Sequence, residues 1–552
     1  MRTYLDHAAS APVRPEVAQQ VAEDLASGLG GWANPSAQHT AGRRVGALLA
    51  QARARLASAL GVDAHEVLLT SGGTEADALV VSGRARAVPG GRLVVSPIEH
   101  PAVLDSARTA VDQLGAGLSL LEVDGAGRVE LDSVDRAVSP AGSTGHSPAS
   151  LVSVMTANNE TGVVQDMAAL VRRVREASGC GRPGETGYVP VHSDAVAALG
   201  KVPVDFHGWG LDAMSLSGHK LGAPVGVGAL VVRRDLALTP ATGGGRQERG
   251  LRSGTQDVVA ARALALAVEL ALAEREEQEA RLAVLRRRIL EGAGALPGVH
   301  ATLPEGADHV ASMAHLWFEE ADAEALLMAL DLAGIDASAG SACHAGVAQP
   351  SHVLLAMGFE EGPAGSTLRC SLGRTTSLDD IERLLTALPA ALEGARLVAV
   401  LTQAQDPGNA GTIIRAADAA GADAVVLVRG SVDPTAPKVV RSTAGSLFHL
   451  PVVTGVALDD AVTALHNAGL TVLAADGRGD FDLFEAESLL EAPSAWLFGN
   501  EAHGLPSEAL SRADAVVSIP IYGKAESLNV AAAAAVCLYA SARAQAQNSS
   551  RS

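Results

Sequence analysis

An α/β protein built of two successive units is predicted for this chain of 552 residues. Three observations predict it. Residues 1–390 alternate short apolar runs with amphipathic stretches, the pattern of strands and helices laid down in turn. The length exceeds what one core serves, since domains run to roughly 100–200 residues. A second alternation of the same kind begins near Ala395, after LPAALEGA, with no Pro- or Ser-rich linker before it.

The elements follow in order. Val67–Thr70 (VLLT), 92–96 (RLVVS, with Leu93, Val94 and Val95), 151–154 (LVSV) and 228–232 (GALVV) are short apolar runs of the length of buried strands. The apolar segments 188–191 and 211–216 precede two polar motifs, His192-Ser193-Asp194-Ala195 and Ser217-Gly218-His219-Lys220. Residues 258–294, rich in Ala, Leu, Glu and Arg, predict one long helical stretch linking two domains. Segments 140–149 and 178–190, rich in Gly, Pro and Ser, predict surface insertions. In the second unit, 396–401 (RLVAVL) predicts a strand. A turn at Asp406-Pro407-Gly408-Asn409, a helix over 412–421 and a strand over 424–428 follow it.

Composition narrows the function. Apolar residues make up 48%, enough for packed cores, yet no run approaches the roughly 18–20 residues of a membrane span. Met1 to Asp6 lacks the apolar centre of a secretory leader, so a cytoplasmic protein without a membrane partner is expected. A formal charge of −20 disfavours broad electrostatic binding to nucleic acid and leaves room only for a local basic patch. Four cysteines, Cys180, Cys343, Cys370 and Cys537, include no C-x-x-C pair. One working thiol, no disulfide framework and no metal site are expected.

Several polar motifs stand at the ends of these strands. A lysine meant to form a Schiff base needs a fixed position and a depressed pKa, and Lys220 follows an apolar segment. Ser71-Gly72-Gly73-Thr74-Glu75-Ala76, between a strand and a helix, has the small residues and hydroxyl of a helix-terminal anion site. Glu99-His100-Pro101 places an imidazole where it can cover an aromatic ring. Asp194 at a strand end can pair with a pyridinium nitrogen. Asn158-Asn159-Glu160-Thr161-Gly162 ends another strand.

With YLDHAAS at 4–10, NPSAQHTAG at 34–42, SGGTEAD at 71–77, EHPAV at 99–103, NNETGVVQD at 158–166, SGHKLGAPVGVGAL at 217–230, RSGTQD at 252–257, GSACHAG at 340–346 and LRCSLGR at 368–374, residues 1–390 resemble a NifS/IscS-type cysteine desulfurase. That family is class V of the aminotransferases, with pyridoxal 5′-phosphate (PLP) fold type I. The resemblance implies a large domain of about 15–260 and a small one from 1–14 and 261–390. It implies that Lys220 carries the PLP, His100 stacks on its ring, Asp194 pairs with the ring nitrogen, and Gly73, Thr74, Ser217 and His219 hold its phosphate. Thr255 would reach the phosphate of a partner subunit, hence a homodimer. Asn159 would face the ring hydroxyl or the substrate. Arg369, helped by Asn34, would bind the carboxylate of L-cysteine, a task suited to a charge-assisted fork. Where the family usually has Gln three residues after the Asp, this chain has Ala197, which removes one hydrogen bond to the cofactor.

Cys343 lies among small residues in Ala339-Gly340-Ser341-Ala342-Cys343-His344-Ala345-Gly346. On the resemblance it receives the substrate sulfur as a persulfide, with His344 placed to favour the thiolate. Lys220 or His100 moves the protons, alanine leaves, and a sulfur-acceptor protein of iron–sulfur assembly or tRNA thiolation takes the sulfur. Cys370 and Cys537, in apolar segments, are expected to be structural, and Cys180 incidental.

In the second unit, the run from Asp406 and Asn409 to Arg415, with Arg415 expected in the first helical turn, is followed by Leu497-Phe498-Gly499-Asn500-Glu501 and by Ile519-Pro520-Ile521-Tyr522-Gly523 leading to Glu526-Ser527-Leu528-Asn529-Val530. In this order they resemble the three motifs of SpoU (TrmH) RNA ribose 2′-O-methyltransferases, of the trefoil-knotted SPOUT class, over 395–545. The resemblance implies S-adenosylmethionine held by backbone around Gly499, Ile519 and Leu528. Arg415 would act on an RNA ribose or phosphate of rRNA or tRNA, and Asn409, Glu501, Ser527 and Asn529 would shape the site. The segment 395–552 holds 10 Lys and Arg against 16 Asp and Glu, and no extra RNA-binding domain precedes the first motif. Two readings of this unit stand at this point, an RNA methyltransferase and a silent dimerisation or RNA-docking module. For the first unit, a selenocysteine lyase is the alternative.

Overall fold

The computed structural model describes residues 2–28, 33–139, 147–319, 321–340, 349–392, 394–500 and 504–549. The chain divides into two compact units, Met1–Leu388 and Pro389–Ser552.

The first unit is centred on a seven-stranded sheet. Its spatial order is Val67–Thr70, Gly228–Val232, Ala213–Ser217, Val191–Asp194, Ala149–Ser153, Arg92–Val95 and Gly117–Leu120. Six strands run parallel, and Gly228–Val232 runs antiparallel to both neighbours. The six strands from Val67–Thr70 to Arg92–Val95 are buried almost throughout, because helices cover both faces. One layer packs Thr40–Leu60 and Val258–Ala273 against the sheet, the other Gly73–Ala87 and Pro101–Leu114. A smaller antiparallel sheet orders Thr367–Ser371, Met313–Phe318 and Val299–Ala301. The strand Thr3–Tyr4 pairs with Ile335–Asp336, so the first residues of the chain pack with its later part.

The long helical stretch expected over 258–294 is two helices, Val258–Ala273 and Arg275–Ala293. Composition changes at the break. The first helix is largely apolar and mostly buried, whereas the second buries only Leu282, Leu285, Ile289 and Ala293. Glu274 sits between them and takes the Arg14 guanidinium at 2.9 Å. Of the two expected insertions, 140–146 lies outside the described residues. The other is a turn-rich connection closed by Tyr188, whose hydroxyl donates to Asp212 at 2.6 Å.

The second unit is an all-parallel seven-stranded sheet. Its order is Val452–Val456, Ala424–Val428, Leu397–Leu401, Ser494–Phe498, Thr471–Ala475, Ala515–Ser518 and Phe481–Asp482. Trp496 is fully buried at its centre and donates Nε1–H to Ser541 Oγ at 2.9 Å, on the closing helix Val530–Ser549. The helix expected over 412–421 begins earlier, as Pro407–Ala419. Asp406 caps it, accepting from the N–H groups of Gly408 and Asn409 at 2.8 Å, and Pro407 occupies the first position. The residues expected to be a turn are therefore cap and first turn, as Asp before Pro favours. Arg415 is in consequence an exposed residue of the third turn, not of the first.

Candidate active site

Parallel strands end at one edge of the first sheet, and the polar motifs follow those ends. Ligand sites of α/β sheets form in such places. Lys220 closes the short turn Gly218–Lys220 after Ala213–Ser217, Asp194 ends Val191–Asp194, and His100 follows Arg92–Val95. The helix Gly73–Ala87 starts after Val67–Thr70. Gly228 lets the antiparallel strand enter tightly here, since a Cβ on it would lie 2.7 Å from the Cα of Gly72.

These elements enclose a cavity of about 920 Å³. Gly73, Thr74, His100, Asn159, Asp194, Ser217, His219, Lys220 and Arg369 all line it, and so does Ala197. Two residues assigned on the sequence are elsewhere. Thr255 is exposed beside Thr70 and Arg252, outside the lining of this cavity, and Asn34 is exposed with its side chain accepting from Ser36 N–H at 2.8 Å. Cys343, with 341–348, lies outside the described residues. The chain on either side of that segment, Ala339 and Gly340 before it and Gln349 and Pro350 after it, lines the cavity.

Electrostatics set the protonation states. Burial, together with the Arg369 guanidinium, lowers Lys220 to about 8. Its Nζ donates to the carbonyls of Ala8 and Ala9, the latter at 2.8 Å. His100 Nδ1 accepts the Ala102 N–H at 3.0 Å, capping Pro101–Leu114, so its proton is on Nε2. Burial and Lys220 lower this imidazole to about 4. Burial pushes Asp194 up, while the Val196 N–H at 2.8 Å and Lys220 act in the other direction. Arg369 donates to Asp6 Oδ1 and to the Asn159 carbonyl, each at 3.0 Å, and its Nε has no partner among the described residues.

Sequence reasoning missed a set of buried polar groups around these residues. Asp77, three positions after Thr74 and hence on the same helix face, has Oδ1 at 3.6 Å from His192 Nε2. His192 is itself held by Ser153 and Ser215 at 2.9 and 3.0 Å. Burial, with Asp194 nearby, raises Asp77 far above the usual carboxylate range and does the same to Glu99. Glu160 takes the Ser351 hydroxyl at 2.5 Å and is raised by burial to about 7. Lys201 also lines the cavity. Asp77, Glu99 and Glu160 stand inside the quoted motifs, and only their burial distinguishes them from solvated acids.

The donor set fits PLP. The helix Gly73–Ala87 has no side-chain cap on its first N–H groups, and Thr74, Ser217 and His219 share the cavity with that terminus, as a phosphate requires. Asp194 supplies a carboxylate for a pyridinium, and Lys220 an amine of low proton affinity.

In the second unit, the loops after two adjacent parallel strands meet. Asn500 Nδ2 donates to the Gln403 carbonyl at 3.0 Å. Gly499 packs backbone to backbone against Gly504, whose carbonyl carbon would be 2.3 Å from a Cβ on Gly499. Asn529 Nδ2 donates to Asn409 Oδ1 at 3.3 Å, which brings the first and third motifs together. Ser527, Leu528 and Asn529 are exposed, Ile519 is half-buried, and Glu501 lies outside the described residues.

Residues 3–384 match the class-V aminotransferase family, and residues 396–539 match the SpoU rRNA methylase family. An IscS-like cysteine desulfurase of Mycobacterium tuberculosis is 42% identical over 405 residues, covering 72% of this chain and 98% of the relative. Cysteine desulfurase IscS of Methanosarcina thermophila is 35% identical over 401 residues, covering 72% and 94%. Among solved structures, a NifS-like protein from Rickettsia africae superposes with a TM-score of 0.62 at 28% identity, covering 71% of this chain and all of that one. The chain belongs to the class-V aminotransferase family and carries a SpoU methylase domain after it. The first unit accordingly has the PLP-dependent fold type I, and the second belongs to an α/β-knot family.

Proposed function

We propose that the first unit is a cysteine desulfurase converting L-cysteine to L-alanine, with the sulfur passing to Cys343. The observation that carries this reading is one cavity holding Lys220, His100, Asp194 and Arg369, with the chain on both sides of Cys343 in its wall. PLP held on Lys220 supplies the electron sink that lets bonds at the substrate Cα and Cβ break. Gly73, Thr74, Ser217 and His219 hold its phosphate, Asp194 its ring nitrogen, and His100 covers the ring. Arg369, in the wall of the cavity, binds the substrate carboxylate. Lys220, at about 8, exchanges a proton at the substrate Cα near neutral pH, and His100 Nε2 stands beside it as the alternative carrier. The Cys343 thiolate attacks the substrate sulfur, the Cβ–S bond breaks, and the persulfide remains on Cys343 for an acceptor protein.

Thr255, exposed and away from this cavity, suits a role toward the phosphate in a second subunit, so a homodimer is proposed. A cytoplasmic location accords with a persulfide carrier. Sulfide release from cysteine by the intact chain and by Cys343→Ala tests the activity. Loss in the variant supports it. Retention of cysteine turnover without Cys343 sinks it and favours a selenocysteine lyase.

For the second unit we propose S-adenosylmethionine-dependent ribose 2′-O-methylation of RNA. Backbone around Gly499, Ile519 and Leu528 would hold the donor, and Arg415, Asn409, Glu501, Ser527 and Asn529 the acceptor side. The Asn409–Asn529 hydrogen bond supports it. The excess of acidic residues favours a second reading, a docking module without catalysis. Calorimetric titration of the intact chain with S-adenosylmethionine separates them, since saturable binding near one per subunit is expected only of the first.

A further inference from the structure

Lys220 and Lys201 line a second, smaller cavity of about 90 Å³, whose wall includes His7, Arg14, Ser312 and Arg374. Its charge is one-sided. Four Lys and Arg side chains line it, and among the described residues no Asp or Glu does. Arg14 is neutralised by Glu274 at 2.9 Å. Lys201 has no carboxylate partner among the described residues, and the charged groups acting on it are Lys220 and Arg369, both cations. Ser312 is 4% exposed, and its Oγ has no hydrogen-bond partner among the described residues. A buried hydroxyl left unpaired costs about 1–3 kcal/mol, and Ser312 shares the cavity wall with Lys201, so an occupant that accepts its proton is called for.

The structure assigns to this cavity a site for a halide-sized monovalent anion, held between Lys201 and Arg374 with the Ser312 hydroxyl donating to it. Size selects the class. A water takes about 30 Å³ of liquid volume, so the space, about a tenth of the larger cavity, admits a halide with one or two waters. Chemistry selects it too, since Lys201, Arg374 and Ser312 offer donors. The bound anion favours the charged form of Lys201, because an opposite charge nearby stabilises the ammonium.

The site stands independently of the desulfurase reading, and the test reads binding, not turnover. Chloride NMR linewidths are measured on the intact, cofactor-loaded chain. Excess broadening that bromide displaces, that saturating L-alanine leaves in place and that Lys201→Met removes is the expected result. Ser312→Val, which deletes a hydroxyl without touching charge, should weaken the broadening while circular dichroism stays unchanged, which guards against a misfolded Lys201 variant. A bromide anomalous peak between Lys201 and Ser312 in soaked crystals is expected as well. Broadening that survives in Lys201→Met, broadening abolished by L-alanine, or no bromide peak at saturation would each overturn the assignment.

Discussion

Arg369 Nη2 donates to Asp6 Oδ1 at 3.0 Å, joining a strand of the smaller sheet to the first turn of the chain 363 residues away. The same guanidinium spans to the Asn159 carbonyl at 3.0 Å, so three segments fix its orientation. A fork held this way presents a fixed face to a substrate carboxylate, and lysine, a point charge on a flexible stem, cannot reproduce it.

Arg369→Lys is therefore expected to lower kcat/KM for L-cysteine about 10- to 100-fold, the equivalent of one charge-assisted hydrogen bond of about 1.5–3 kcal/mol. Steady-state kinetics check it. An unchanged kcat/KM would mean the substrate carboxylate binds elsewhere.

His100 has two separable tasks, because Nδ1 caps a helix and Nε2 faces the cavity. His100→Asn keeps a capping acceptor, whereas His100→Ala loses it at about 1 kcal/mol. The thermal midpoint should fall in the Ala variant and hold in the Asn variant, while both lose cysteine turnover. Equal turnover in the Asn variant and the native chain would reduce His100 to a cap.

Glu160 carries a pH signature. Burial raises its carboxyl from 4.5 to about 7. Its folded-state pKa lies above the unfolded one, so the stability it contributes is complete below about pH 4.5 and is lost as pH rises through about 7. The loss is on the order of 3 kcal/mol. Glu160→Gln keeps an acceptor for the Ser351 hydroxyl and cannot ionise. Its denaturation free energy should gain on the native chain across this window and run parallel above it. A difference independent of pH would show that the Glu160 carboxyl is not raised.

Gly499→Ala tests the second unit. The added Cβ would meet the Gly504 backbone at 2.3 Å, and backbone cannot swing away as a side chain does. A destabilisation of about 1–3 kcal/mol in the transition of this unit is expected, with loss of S-adenosylmethionine binding in calorimetry. Undiminished binding would place the methyl donor away from this turn.

Much of the site was legible because its residues stand in short motifs just after strands. Apolar runs such as Leu93-Val94-Val95 and 424–428 mark strands whatever their neighbours, since a sheet covered on both faces needs continuous apolar side chains. The break at Glu274 was not legible, because both helices are rich in helix formers and only the change in burial separates them. The start at Pro407 had a local signal in Asp406. Its apparent turn chemistry concealed that signal, which in turn misplaced Arg415.

The residue types at the strand ends, the order of the two units and the thiol segment around Cys343 belong to the sequence by itself. Local chemistry and periodicity suffice to specify them. The tertiary structure alone decided that strands far apart in the chain lie side by side, so that Lys220, Asp194, His100 and Arg369 share one cavity. It also decided which acids are buried. Asp77 and Glu160 are ordinary carboxylates as letters in a sequence, and removal from water, a property of the packed fold, is what raises their proton affinity.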